Sequence, residues 1–261
     1  MKFIDLSIPL INPNELLFDP GGTELKIEYN DHTIGAKQMG RIFNLTPEKH
    51  LPIGTGWATE RIIVSTHNGT HMDAPWHFAS IQDKEIGQRK AMTIDEIPLE
   101  WCIGPLIVLD CTNYEDGYVL TPEDVNQKLE DINYKLSGGE ILCIHTTAPR
   151  YYGTKEFVHH GVGVGKKATI HIIKQGVHIV GTDSWSWDAP FSITAQKWEK
   201  TKDPSIIWEG HFAGIERGYF QMEKLANLDK VPPVGATIYC FPIKIARASA
   251  GWVRAVATLP E

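Results

Sequence analysis

The residues best equipped for chemistry lie together in Thr66-His67-Asn68-Gly69-Thr70-His71-Met72-Asp73-Ala74-Pro75-Trp76-His77, where three histidines and one aspartate fall at i, i+4, i+6 and i+10. Imidazole nitrogens and a carboxylate suit a borderline divalent ion such as zinc or manganese, and an incomplete protein shell leaves room for water. Such an ion lowers the pKa of a bound water towards about 7 and so makes the nucleophile of a hydrolase available near neutral pH. A lone histidine reads more simply as a polar surface residue. Four chemically matched groups around a glycine favour a metal centre.

All four positions share one parity, so an extended chain puts them on one side. At about 3.3 Å per residue, however, His67 and His71 would stand roughly 13 Å apart, too far to share an ion at bond lengths of about 2.1 Å. The chain must bend between them. Asn68-Gly69 supplies the bend, because glycine takes positive φ freely and asparagine tolerates it. Pro75 stops a strand ladder from running on into Trp76-His77. A helix carrying the i, i+4 pair is disfavoured by Gly69 and Thr70 between the histidines. The segment therefore reads as a strand followed by a ligand-bearing loop.

The elements around it follow from composition and punctuation. Short runs rich in β-branched residues, bounded by Gly, Pro or Asp, predict strands over 3–8, 60–66, 105–110, 140–145, 177–182, 219–225, 236–241 and 252–258. Thr121-Pro122-Glu123-Asp124 opens one helix, with a capping residue, proline in the first turn and early acids; 166–175, closed by Gly176, forms another. Residues 12–56, rich in Gly, Pro and Asn, read as a long surface excursion. The expected architecture is one α/β domain over residues 1–261, with mixed β-sheets and flanking helices.

Composition narrows the function classes. A chain of 261 residues with 42% hydrophobic and 22% charged residues can bury a sizeable core. A net charge of −7 with scattered Lys and Arg argues against nucleic acid as a partner. The N-terminal apolar stretch contains Asp5 and Pro9, which spoils a signal-peptide core, and no segment approaches the roughly 18 apolar residues of a membrane span. The four cysteines form no C-x-x-C pair, so a reducing, cytoplasmic setting is expected.

The pattern H-x-G-T-H-x-D-A-P-x-H, complete at every specified position from His67 to His77, resembles the cyclase superfamily of metal-dependent hydrolases, which includes bacterial kynurenine formamidase and isatin hydrolase. The resemblance implies that His67, His71 and Asp73 bind the metal and that His77 is catalytic. It implies further that His211 and Glu223, twelve residues apart, hold a second ion bridged by Asp73, where relatives have one; without it, Glu223 is a polar position on an alternating strand. It extends from Phe3-Ile4-Asp5-Leu6-Ser7 through Val180-Gly181-Thr182-Asp183 to residues 242–256 and implies a swivelling β/β/α fold and a homodimer or homotetramer. The aromatic segment Asp183-Ser184-Trp185-Ser186-Trp187-Asp188-Ala189-Pro190-Phe191 departs from the formamidase pattern and lies nearer the isatin hydrolase branch.

Trp57, Trp76, Trp185, Trp187 and Phe191 are candidates to stack a flat substrate, with Trp185 and Trp187 foremost. His145 and the pair His159-His160 have no partner at a defined spacing and read as satisfied histidines. The glycine run at 161–167 lacks the G-x-x-x-x-G-K-[ST] form, so nucleotide binding is set aside. The expected reaction is hydrolysis of a carbon–nitrogen bond in an aryl formamide, cyclic amide or imide, with His77 as general acid/base and lactone hydrolysis as the nearest variant. Two other classes compete: a non-haem iron oxygenase using two histidines and a carboxylate, and a binding protein with a structural metal.

Overall fold

The computed structural model describes residues 1–12 and 25–260; residues 13–24 of the expected surface excursion lie outside this range. The described chain groups into two compact units, residues 1–10 with 66–260 and residues 11–12 with 25–65. In the smaller unit the strands Lys26–Asn30 and Thr59–Ile63 pair antiparallel. Between them, within the segment read as a surface excursion, lies the helix His32–Phe43. Asp31 caps it by accepting from the Ile34 amide at 2.9 Å. Gly35 blurs the sequence signal for this helix, yet a β-carbon there would meet Trp57 O at 1.8 Å, so the glycine permits close packing.

The larger unit is built on a nine-stranded sheet. Its order is Lys2–Asp5, Val256–Leu259, Ala236–Tyr239, Ile103–Asp110, Ile141–His145, Ile179–Thr182, Phe220–Glu223, His71–Asp73 and Ala250–Trp252. The four strands from Ile103–Asp110 to Phe220–Glu223 run parallel, and the remaining pairings are antiparallel. Thr121 caps Pro122–Asp131 as expected, and Asp124, one of the early acids, completes a capping box with it. The helix Lys166–Lys174 ends before Gly176 and feeds Ile179–Thr182, as the order of the sequence signals predicts.

One expected strand, 252–258, is two. Ala250–Trp252 lies at one edge, while Val256–Leu259 sits one strand in from the other edge. Seven strand spacings amount to about 34 Å in a flat sheet. The four residue steps from Trp252 to Val256 reach about 14 Å. The sheet must therefore curl until its edges approach, and a bridge between Ser7 and Leu225 together with Ala226 N donating to Leu6 O at 2.9 Å helps close it.

Alternation along the strands feeds two cores. Ile141, Cys143, Met72, Phe220 and Met222 point into the curl, with Leu6, Leu106 and Ile238. Leu142, Ile144, Val180 and Tyr219 face the helices, with Leu129, Ile172 and Trp187. Burial on both faces is what turns the central strands into unbroken apolar runs.

Candidate metal centre and cavity

Met72 anchors the ligand segment. Its burial in the curl sends its neighbours His71 and Asp73 to the opposite face, where register sets Asp73 across from Gln221 and His71 across from Glu223. Here the structure departs from the expected ligand-bearing loop, because His71–Asp73 is itself a strand, flanked on both sides by Phe220–Glu223 and Ala250–Trp252. The bend falls at Gly69, with φ of +62°, and a β-carbon there would lie 2.6 Å from the Leu10 side chain. Pro75 ends the strand and opens the one-turn helix Pro75–Phe78, in which a missing N–H costs little at the first position. That turn carries His77 back, so that ligand atoms of His67, Asp73 and His77 lie within 4.8 Å of one another.

His71, Asp73 and Glu223 form a second, fully buried group with the same property, and Asp73 belongs to both. The two oxygens of Asp73 face different ways. Oδ1 is 2.9 Å from His67 Nδ1 and 3.2 Å from His71 Nε2. Oδ2 is 4.0 Å from His211 Nε2, which is in turn 3.5 Å from Glu223 Oε1. The carbonyl of Gly69 accepts at 2.9 Å from His71 Nδ1, which must therefore carry a proton. In the neutral ring this leaves a lone pair on Nε2 facing the lone pairs of Asp73 Oδ1.

Both of these buried atoms lack a hydrogen-bond partner among the described residues. Two acceptors held this close repel unless a cation, a proton or a metal ion, lies between them, and the convergence of His71, Asp73 and Glu223 fits a divalent ion. Without the ion a proton takes that place: burial opposes charge on the His71 ring, but Asp73 raises its pKa. Although burial opposes its charge, the His71 and His67 rings hold the Asp73 carboxyl well below the usual carboxylate range. Burial also pushes the His77 imidazole down to about 4, against the pull of Asp73, so this ring is neutral near pH 7.

Supporting groups hold the candidate ligands in place. Ser249 Oγ lies 3.0 Å from His67 Nε2, and Lys224 Nζ donates to the His67 carbonyl at 2.7 Å. Asp188 accepts from the Gly210 amide at 2.8 Å and from His211 Nδ1, orienting the far ring nitrogen towards Asp73 and Glu223. Asp188, Gln221, Lys224 and Ser249 escape a reading by motif because only strand register and helix docking bring them here. Trp208, stacked on His211 at 4.3 Å between ring centroids, adopts a left-handed φ of 54° just before the helix Glu209–Glu216. Strain of this kind in a bulky residue concentrates at functional sites.

Above the centre opens a cavity of about 600 Å³ with His67, His77, His211 and Glu223 in its lining. Trp185, Phe191, Trp198, Trp208 and Phe212 make its walls aromatic. Of the tryptophans expected to stack a substrate, Trp185 is on the wall and Trp187 is not. Trp187 is fully buried in the helix-facing core and donates from Nε1 to Thr169 at 3.0 Å. Only two positions along the chain, with Ser186 between them, separate the two fates. Trp76 lies half-exposed near Lys90, and Trp57, in the smaller unit, donates to Gln38.

Trp187→Ala should therefore cost about 3–5 kcal/mol of stability, the range for emptying a buried aromatic site. Trp185→Ala should keep the melting temperature and lower kcat/KM for planar substrates about tenfold, as loss of an aromatic contact predicts. Thermal melts alongside kinetics check both, and equal destabilisation of the two variants would contradict the assignment.

The other histidines weighed from the sequence are satisfied elsewhere: His145 pairs with Asp183 at 2.5 Å, His160 with Asp116 at 2.5 Å, and His159 Nδ1 lies 2.9 Å from Ser192 Oγ. At the glycine run, the helix amide of Lys166 donates to Glu209 at 3.0 Å, which places a carboxylate of the chain itself where a phosphate would dock.

Comparison with known proteins places this geometry. The family model described as "Putative cyclase" matches residues 4–189. The chain belongs to this cyclase family. Among curated relatives, it is 24% identical to an isatin hydrolase of Roseibium aggregatum over 225 residues, covering 80% of the chain and 77% of the relative. It is 30% identical to a kynurenine formamidase of Salinibacter ruber over 198 residues, covering 74% and 76%. Among solved structures, an isatin hydrolase bound to the product analogue thioisatinate superposes with a TM-score of 0.72 at 21% identity, covering 100% of this chain and 93% of that one. A structure described as a potential metal-dependent hydrolase with cyclase activity superposes at 0.65 and 17% identity, covering 100% and 98%. The mixed α/β architecture is thus the cyclase-family fold. Among the described residues no helix is long and apolar enough to cross a membrane.

Proposed function

We propose that this cyclase-family chain is a metal-dependent hydrolase that cleaves the carbon–nitrogen bond of an aryl formamide or cyclic amide. His67, His71 and Asp73 hold a divalent ion, zinc or manganese, and His77 moves the proton. The observation that carries this reading is the facing pair His71 Nε2 and Asp73 Oδ1, buried 3.2 Å apart without hydrogen-bond partners among the described residues and lying beneath an aromatic cavity. When bound, the ion supplies Lewis acidity and acidifies water to a pKa of about 7.

The chain's own residues do the rest. His77, neutral because it is buried, can take a proton and hand it to the departing nitrogen, which leaves poorly as an anion. Trp185, Phe191, Trp198, Trp208 and Phe212 offer flat faces to an aromatic ring and exclude water from it. The indole N–H of Trp185, buried and without a partner among the described residues, remains as a donor for a substrate carbonyl. A cytoplasmic homodimer or homotetramer belongs to the same proposal; the assembly rests on the family resemblance and the compartment on four cysteines that form no C-x-x-C pair.

The test is elemental analysis of the purified protein, followed by screening its zinc and manganese forms against formanilides, isatin-like lactams, imides and lactones. The loaded forms should hydrolyse an aromatic amide or lactam, and small aliphatic amides should be poor substrates. Turnover by chelated protein at the rate of the loaded form, or turnover that requires iron and oxygen, would overturn the reading.

A further inference from the structure

Gln221 sits at the heart of the centre, yet no motif singles it out. It is fully buried on the strand Phe220–Glu223, directly across from Asp73. Its side-chain nitrogen Nε2 lies 2.8 Å from Glu223 Oε1, 2.8 Å from His211 Nε2 and 3.3 Å from Asp73 Oδ2. These three atoms belong to the residues that the resemblance assigns to a second cation. The amide nitrogen lies where that cation would.

The orientation of the amide follows from its neighbours. Two of the three are carboxylate oxygens, which accept hydrogen bonds when ionised and would repel a carbonyl. The third is His211 Nε2, the far nitrogen of a ring whose Nδ1 lies against Asp188. The two carboxylates decide the orientation, so the Gln221 nitrogen faces Glu223 and Asp73, with His211 Nε2 2.8 Å away. On the opposite side the Tyr219 hydroxyl, 3.0 Å from Gln221 Oε1 and 2.8 Å from Gly210 O, shares its proton between these two acceptors. Tyr219 is itself fully buried, so the amide oxygen is held away from the centre.

Size and charge give the consequence. Ligand bonds to nitrogen and oxygen of about 2.0–2.2 Å leave no room for both an ion and an amide nitrogen among the same three atoms. The amide also presents partial positive charge to the carboxylates, which relieves their repulsion without a metal. Among the described residues no amide takes that position on the Oδ1 side of Asp73, where His71 Nε2 and Asp73 Oδ1 make no hydrogen bond. We propose that the Gln221 amide takes the place of the second cation, so that the chain holds one divalent ion, on the Asp73 Oδ1 side with His67 and His71. This rests on the metal-dependent reading above, and it adds how many ions the centre accepts and which residue sets that number.

The experiment is a titration of chelator-treated protein with manganese(II) chloride, read by calorimetry and elemental analysis, with EPR to tell an isolated ion from a coupled pair. Wild type should saturate at one ion per chain and give the spectrum of isolated manganese. Gln221→Ala, which removes the amide, and Gln221→Glu, which puts a carboxylate in the same volume, should each take two ions, with the spectrum of a coupled pair. Because the Glu variant preserves volume, failure of the Ala variant to fold still leaves a result. Two ions in wild type would overturn the inference while leaving the hydrolase reading intact. So would a single ion in both folded variants, or loss of the ion from Gln221→Ala, which would make Gln221 a ligand. A wild type that binds no manganese and no zinc would instead remove the metal centre itself.

Discussion

Asp73→Ala is expected to give a protein that binds no divalent ion and hydrolyses its substrate about 10³-fold more slowly than wild type, since metal assistance is worth several kcal/mol and each 1.36 kcal/mol is tenfold in rate. The expectation comes from the position of this carboxylate, the one residue shared by both groups of candidate ligands. A loss of activity alone would not separate a missing ligand from a damaged fold, so the thermal melt matters as much as the rate. An ion at one hundred times its dissociation constant should stabilise wild type by about 2.7 kcal/mol. The same concentration should leave the melt of Asp73→Ala unmoved. Retention of the ion by this variant at saturation would show that the centre is not built on Asp73.

His77→Ala should fold and keep its metal, yet lose about 10²–10⁴-fold in kcat, the range for general acid–base catalysis. Substrates with a poor nitrogen leaving group need protonation and should suffer most, whereas activated esters should be partly spared. Geometry also offers the competing role of a third imidazole ligand, because His77 converges with His67 and Asp73 within 4.8 Å. Its ring is wedged 4.1 Å from His67 and 5.1 Å from Trp208 between centroids, so removing it empties space beside the ligands as well. Measuring metal content and kcat across metal concentrations separates the roles. Full rescue by excess metal would make His77 a ligand and end its part in proton transfer.

What is legible in the sequence is what is local. The segment from His67 to His77 carries its donors, its bend and its proline stop within eleven residues, so its chemistry can be read without a fold. The parallel strands are legible because burial on both faces makes them uniformly apolar, and Pro122–Asp131 because its cap is written in Thr121, Pro122 and Asp124. The strand character of His71–Asp73 is hidden: three residues are too short for periodicity, and the pairing comes from segments 148 residues away or further, as between Asp73 and Gln221. The helix Phe191–Thr201, which puts Trp198 on the cavity wall, lacks a capping side chain at Pro190 and so announces itself poorly. Trp185 and Trp187 share one aromatic run, and composition cannot say which of the two turns inward. Gln221 and Asp188 have ordinary side chains whose importance exists only through their neighbours.

The placement of His71–Asp73 between two strands from the last third of the chain also bears on how the molecule is made. His67 meets Ser249 across 182 residues and Asp73 meets Gln221 across 148, so the site is a product of late, long-range closure. A nascent chain that has emerged only as far as His77 carries every group of the motif and none of the sheet that aims them. Any ion it meets at that stage finds a flexible peptide with loose affinity. On the proposed reading, selectivity for a metal begins only when Ala250–Trp252 docks against the strand His71–Asp73, which puts loading at the end of biosynthesis.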